Sequence, residues 1–99
     1  MKGSDVKKVV VACDAGMGSS VMLATQVRKS LKKSGVTVEH TPVSSIPADA
    51  DVILTHASMV ERARAGAPDK QIVAFNVFIG DPAVTRVVEA IKKGAEIPS

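Results

Sequence analysis

Apolar positions in this chain switch between two periods. Residues 6–12 carry a β-branched run, Val9-Val10-Val11, with charge before it and glycines after it. Apolarity without alternation suits a strand covered on both faces of a parallel sheet. Ser20, Leu23, Ala24, Val27 and Leu31 then recur at helical spacing, with Arg28, Lys29, Lys32 and Lys33 opposite. The spacing predicts a helix over 19–34, stopped by Gly35. Residues 36–43 alternate and run into Pro42, which predicts a shorter edge strand. Residues 51–55, Asp-Val-Ile-Leu-Thr, predict a second buried strand after a connector holding Pro47. Ser58 and Glu61 are spaced as a capping box, Ser58 covering an orphan amide while Glu61 reaches back, and they open a short helix ended by Gly66 and Pro68. A fourth strand follows at 71–77. Asp81-Pro82 is a helix start, with Asp81 as N-cap and proline at the first helical position. Val84, Val87, Val88 and Ile91 make its buried stripe, and Gly94 closes it.

The order is β-α-β-β-α-β-α, with no repeat and no low-complexity linker. Buried strands alternating with amphipathic helices predict an α/β fold: one domain with a four-stranded parallel sheet in the order 2-1-3-4 and helices on both faces. Growth of the sheet reverses between strands one and three in that order, so the crevice at the carboxyl end of strand one is the expected ligand site.

Composition narrows the classes. The chain has 99 residues, 45% of them hydrophobic, enough for one core and no second. A formal net charge of +3 does not imply nucleic acid. Two aromatics, Phe75 and Phe78, cannot build stacking platforms for bases or sugar rings. The single cysteine excludes an internal disulfide and a thiolate-rich zinc site. The run at 9–12 is too short for a signal peptide or a membrane span, so a soluble, cytoplasmic chain that is not itself membrane-embedded is expected. Neither a cofactor nor a metal is expected.

The residues at the expected crevice are Cys13, Asp14, Ala15, Gly16, Met17, Gly18, Ser19 and Ser20. Glycines allow close backbone approach and let successive N–H groups converge on an anion. The helix starting there adds its positive end and unpaired amides, and the two serines offer hydroxyls. Such a loop is a cradle for a phosphate dianion with a sulfur at its base. A thiolate in that field is stabilised, which lowers the pKa of Cys13, although an inward Asp14 would oppose the shift. Thiolate attack on phosphorus, giving phosphocysteine, is the chemistry this combination suggests. Gly16-x-Gly18 lacks the third glycine of a dinucleotide loop, since Val21 stands there, and no Gly-Lys-Ser/Thr follows for a Walker loop.

Residues 9–22, Val-Val-Val-Ala-Cys-Asp-Ala-Gly-Met-Gly-Ser-Ser-Val-Met, closely resemble the phosphorylation loop of the enzyme IIB proteins of the bacterial sugar phosphotransferase system, most of all its mannitol-type branch. Ile53-Leu54-Thr55-His56 followed by Glu61-Arg62-Ala63 is similar to a second segment of that branch, and the likeness runs from Lys8 to about Lys93. The resemblance implies that residues 1–99 are one IIB-like phosphocarrier domain. It implies a phosphohistidine on an enzyme IIA as donor, Cys13 as nucleophile, 14–20 as the phosphate loop, and a sugar or sugar alcohol in a membrane enzyme IIC as acceptor.

Low-molecular-weight tyrosine phosphatases resemble this architecture, with Cys, five residues, Arg, then Ser or Thr. Ser19 occupies the Arg position here. Serine cannot replace a bidentate guanidinium on the equatorial oxygens, so water should attack phosphocysteine slowly, as a relay requires. The hydrolase therefore stands as an alternative, as does a non-catalytic sensor of phosphorylation at Cys13. His56, just past strand three, is a candidate to line or support the site, and His40 is expected on the surface. The Arg28-Lys29-Lys32-Lys33 cluster is expected to be a solvated face that complements the helix dipole. Met17 and Met22 suit a surface that docks two proteins in turn, with Val21 expected in the core and Phe78 and Ile79 either extending that surface or packing inward.

Overall fold

The structure, a computed structural model, describes residues 2–13, 18–77 and 81–97, and of residues 18–20 the backbone alone. Its strands are β1 (Lys8–Cys13), β2 (Thr37–Pro42), β3 (Val52–His56) and β4 (Gln71–Phe75). Its helices are α1 (Gly18–Ser30), α2 (Val60–Gly66) and α3 (Pro82–Lys93). The four strands form one parallel sheet in the order β2-β1-β3-β4, as the pattern of periods predicts.

The sheet is covered on both faces. Val9, Val11 and Cys13 of β1 point into a core with Leu54 and Phe75, closed by Leu23 and Val27 of α1, by Leu31 just past its end, and by Val84, Val87 and Ile91 of α3. Val10, Ala12 and Ile53 point the other way, against Val43, Ala50 and the small residues Ala63 and Ala67 at α2. Alternation with period two on strands apolar on both faces accounts for the unbroken runs in the sequence. At the amino-terminal edge, Asp51 accepts the amides of Lys7 (2.8 Å) and Lys8 (3.0 Å) and so holds the register of β1 against β3. The Gly3 amide donates to the Ala95 carbonyl at 2.6 Å, and a Cβ at Gly3 would collide with the Ala90 carbonyl.

Several boundaries differ from the sequence prediction for physical reasons. The first helix is α only to Ser30; a 3-10 turn, Lys32–Ser34, completes the path to Gly35, which takes the left-handed conformation at φ 69°. Arg28 is not simply solvated: its guanidinium donates to the Val38 carbonyl of β2 at 2.9 Å. His40, on that edge strand, is half-buried rather than plainly on the surface. β4 stops at Phe75 because the next two amides, of Asn76 and Val77, donate to the Asp81 carboxylate instead of to a strand. The capping box does not form. A 3-10 turn, Ala57–Met59, leads into α2, and its cap is His56, whose ring accepts the Ser58 amide; Met59 precedes α2 with no side-chain cap. The helix-start reading at Asp81 holds: its side chain accepts the Ala83 amide, with Pro82 at the first position and Gly94 closing at φ 70°.

Candidate functional site

Cys13 is the last residue of β1, and β1 lies between β2 and β3 where the sheet changes direction of growth. It is fully buried and belongs to the core on the α1 and α3 face. α1 opens at Gly18, five residues on, so its first-turn amides lie within a short loop of the sulfur's strand. Asp14, Ala15, Gly16 and Met17 lie outside the described residues, as do the side chains of Ser19 and Ser20, and Phe78 and Ile79.

Register defines the neighbours of Cys13. Cys13 pairs with Pro42 on β2; on the other side Ala12 pairs with Thr55, so the next row sets Cys13 beside His56. His56 pairs in turn with Phe75. One row at the carboxyl edge therefore reads Pro42, Cys13, His56, Phe75, with side chains on one face and strands about 4.8 Å apart. His56 is half-buried, its ring edge-on to Phe75 at 5.9 Å between centroids.

Both ring nitrogens of His56 are engaged. Nδ1 accepts the Ser58 amide at 3.1 Å and lies 2.8 Å from Ser58 Oγ. Nε2 lies 3.2 Å from the Asn76 carbonyl oxygen. A backbone amide can only donate and a carbonyl can only accept, so the ring proton belongs on Nε2.

Asp81 closes the same rim. It is buried and takes three amides: Asn76 at 2.7 Å, Val77 at 3.0 Å and Ala83 at 2.8 Å. Burial works to raise its carboxyl, but the amides of Asn76, Val77 and Ala83, with the charge of Arg86, outweigh it and hold the group below the usual carboxylate range. Sequence reading identified Asp81 as a cap and missed its grip on the end of β4. An Asp six residues after the last strand residue is too general a signal to show it.

The apolar rim departs from expectation at one residue. Val21 is 51% exposed rather than in the core, and Met22 is 58% exposed. At 100° per residue Val21 falls about 100° from the centre of the stripe made by Leu23, Ala24, Val27 and Leu31. Val77, just past β4, is 55% exposed. A groove of ≈ 230 Å³ between α1 and α3, walled by Leu23, Val27, Asp81, Val84 and Lys92, does not include Cys13. Among the described residues, no three of His, Cys, Asp and Glu are grouped to hold a metal, and no helix is long and apolar enough to cross a membrane.

Comparison with known proteins agrees with this geometry. The family described as "PTS system, Lactose/Cellobiose specific IIB subunit" matches residues 8–94. The chain is 47% identical over 81 residues to the mannitol-specific cryptic EIICB component of Escherichia coli K12, covering 80% of this chain and 17% of that protein. It is 38% identical over 90 residues to the mannitol-specific EIICB component of Geobacillus stearothermophilus, covering 89% and 19%. To the mannitol-specific EIICBA component of Vibrio cholerae it is 38% identical over 87 residues, covering 86% and 13%. The chain thus spans less than a fifth of the length of each of these relatives.

Proposed function

The chain belongs to the lactose/cellobiose-type IIB subunits of the phosphotransferase system, a family of phosphotransferases, and from that premise we propose that it is a phosphoryl carrier working through Cys13. The thiolate of Cys13 attacks the phosphorus of a phosphohistidine on an enzyme IIA. A P–S bond forms, the P–N bond breaks, and the imidazole nitrogen keeps the electron pair. In the second step a hydroxyl of a sugar or sugar alcohol, held by a membrane enzyme IIC, attacks the same phosphorus. The P–O bond forms, the thiolate leaves, and the hydroxyl proton passes to a base on the acceptor side.

The observation that carries this reading is the position of Cys13 at the end of β1, at the reversal of sheet order and one short loop before α1. In this proposal the amides of the loop and of the α1 N-terminus stabilise the phosphoryl dianion carried by that nucleophile. Asp14, Ala15, Gly16, Met17, Gly18, Ser19 and Ser20 form the phosphate loop in this proposal. Serine at position 19, where the related phosphatases hold arginine, favours a persistent phosphocysteine over its hydrolysis. Several relatives are named EIICB or EIICBA, which supports work beside an enzyme IIC and an enzyme IIA at the cytoplasmic face, with residues 1–99 acting as one carrier unit. Their names say mannitol, and a polyol is the first acceptor to try.

The test is intact mass after incubation with phosphoenolpyruvate, the general relay proteins and candidate enzymes IIA. One phosphoryl group gained, and lost in Cys13→Ser, is expected, followed by its discharge on adding IIC membranes and sugar. Steady release of phosphate from an aryl phosphate would make the chain a hydrolase instead. Stable phosphorylation with no onward transfer would make it a sensor.

A further inference from the structure

We infer that His56 is a positioning residue for phosphoryl transfer at Cys13, acting by holding the Asn76 carbonyl with its Nε2–H. The inference rests on the carrier reading and deepens it.

Asn76 is where β4 leaves the sheet, and both of its main-chain groups are gripped by different elements. Its amide donates to Asp81 at the head of α3 (2.7 Å), and its carbonyl faces Nε2 of His56 at the end of β3 (3.2 Å). Terminating β4 and capping α3 require only the first of these, because Asp81 alone removes the Asn76 and Val77 amides from the ladder. The second bond does something else: it sets the height of the 76–77 segment relative to the row that holds Cys13 and His56.

On its other side the ring accepts the Ser58 amide (3.1 Å), so the lead-in to α2 is tied to the same imidazole. A continuous chain of bonds, Ser58–His56–Asn76–Asp81–Ala83, borders the carboxyl edge of the sheet from α2 to α3. Phe75, packed edge-on against the ring at 5.9 Å, restricts its rotation. In the carrier reading a donor protein brings a phosphorus atom in line with the Cys13 sulfur at this same edge of the sheet. A displacement of 1 Å in such an approach costs on the order of 100-fold in rate. The imidazole does not touch the phosphoryl group in this account; it fixes the wall against which the donor seats.

Three substitutions separate the two bonds. His56→Gln can place an amide N–H near the former Nε2 and keep the donor to Asn76. His56→Asn can place an oxygen near the former Nδ1, keeping the acceptor for Ser58 while falling short of Asn76. His56→Ala keeps neither. Single-turnover transfer from a phosphorylated enzyme IIA is expected to fall about tenfold in Ala and Asn and to stay within about twofold of the parent in Gln, with KM for the donor little changed. Equal rates in all four proteins, equal losses in all three variants, or rescue by Asn rather than Gln would each overturn the inference. Nitrogen NMR of the wild-type ring gives a readout independent of transfer. The Nε2–H tautomer is expected under mildly alkaline conditions, with resonances of Asn76 and Val77 displaced in Ala and Asn but not in Gln; an Nδ1–H tautomer would overturn the hold. If wild-type Cys13 takes no phosphoryl group, the carrier reading fails on its own, and the ring spectra still decide whether His56 holds Asn76.

Discussion

The carboxylate of Asp81 lies 2.7 Å from the amide nitrogen of Asn76, and with that one bond α3 takes hold of the end of β4. The same oxygen accepts Val77 at 3.0 Å and the other accepts Ala83 at 2.8 Å, so one buried anion ends a strand and begins a helix. Because the edge of the candidate site is built from these residues, the charge of Asp81 supports both stability and site geometry.

Replacing Asp81 with alanine orphans three amides and should lower the free energy of unfolding by about 2–4 kcal/mol at neutral pH. Asparagine retains one acceptor oxygen and should recover part of the loss. The amides hold the folded carboxyl below its unfolded value, so its stabilisation is complete above the unfolded pKa of about 3.9 and disappears as pH falls through the lowered folded one. Denaturant titrations of wild type and Asp81→Ala at pH values on both sides of that window should show the gap narrowing on the acid side. A gap of constant size would mean that shape rather than charge matters at this position.

Much of this architecture is legible from residue pattern alone, and the exceptions share a cause. Val9-Val10-Val11 and Val52-Ile53-Leu54 announce strands buried on both faces, and Asp81-Pro82 and Gly94 mark the ends of α3, because these signals are local. Ser58 and Glu61 mislead because the Ser58 amide is taken by the His56 ring two residues earlier, and that ring is held in place by Phe75 of the neighbouring strand and Asn76 just past it, which local spacing does not show. Predicting β4 to 77 fails because the carboxylate of Asp81, four to five residues on, takes the amides of Asn76 and Val77 out of the ladder, a bond that depends on how the chain turns into α3. The placement of His56 beside Cys13 needs the register of β1 against β3, which no single segment encodes. The phosphate-loop proposal for 13–20 rests on the sequence, where a cysteine, two glycines and two serines stand together.

In the proposed carrier, the side chain at position 19 is what sets it apart from a hydrolase. Ser19→Arg introduces the guanidinium that the resembling phosphatases use on the equatorial oxygens. The phosphocysteine half-life, followed by intact mass after removal of the donor, should shorten by about tenfold. An unchanged half-life would show that the persistence of phosphocysteine does not depend on the missing charge.

Val21 and Met22 are exposed apolar side chains near the start of α1, off the buried face made by Leu23, Ala24 and Val27 and close in sequence to the loop that follows Cys13. Neither contributes to the core, so Met22→Glu should leave the thermal midpoint within a degree or two. Transfer from enzyme IIA should nevertheless weaken, with KM for the donor rising about five- to tenfold if the methionine packs in the docked complex. An unaltered KM in both Met22→Glu and Val21→Asp would remove this face from the donor interface.

Thr41 and Thr55 flank Ala12 on the two neighbouring strands, one residue back from the Cys13 row. Their hydroxyls are buried, and neither has a hydrogen-bond partner among the described residues. Thr55 is fully buried on the α2 face, so its hydroxyl carries a desolvation cost that a methyl would not. Valine has nearly the same shape and suits a strand at least as well. Thr55→Val should therefore raise the free energy of unfolding by about 1 kcal/mol, while Cys13 phosphorylation proceeds as before because the side chain faces away from the sulfur. A loss of stability in Thr55→Val would show that the hydroxyl finds an acceptor in solution. A loss of phosphorylation without one would make this threonine part of the site.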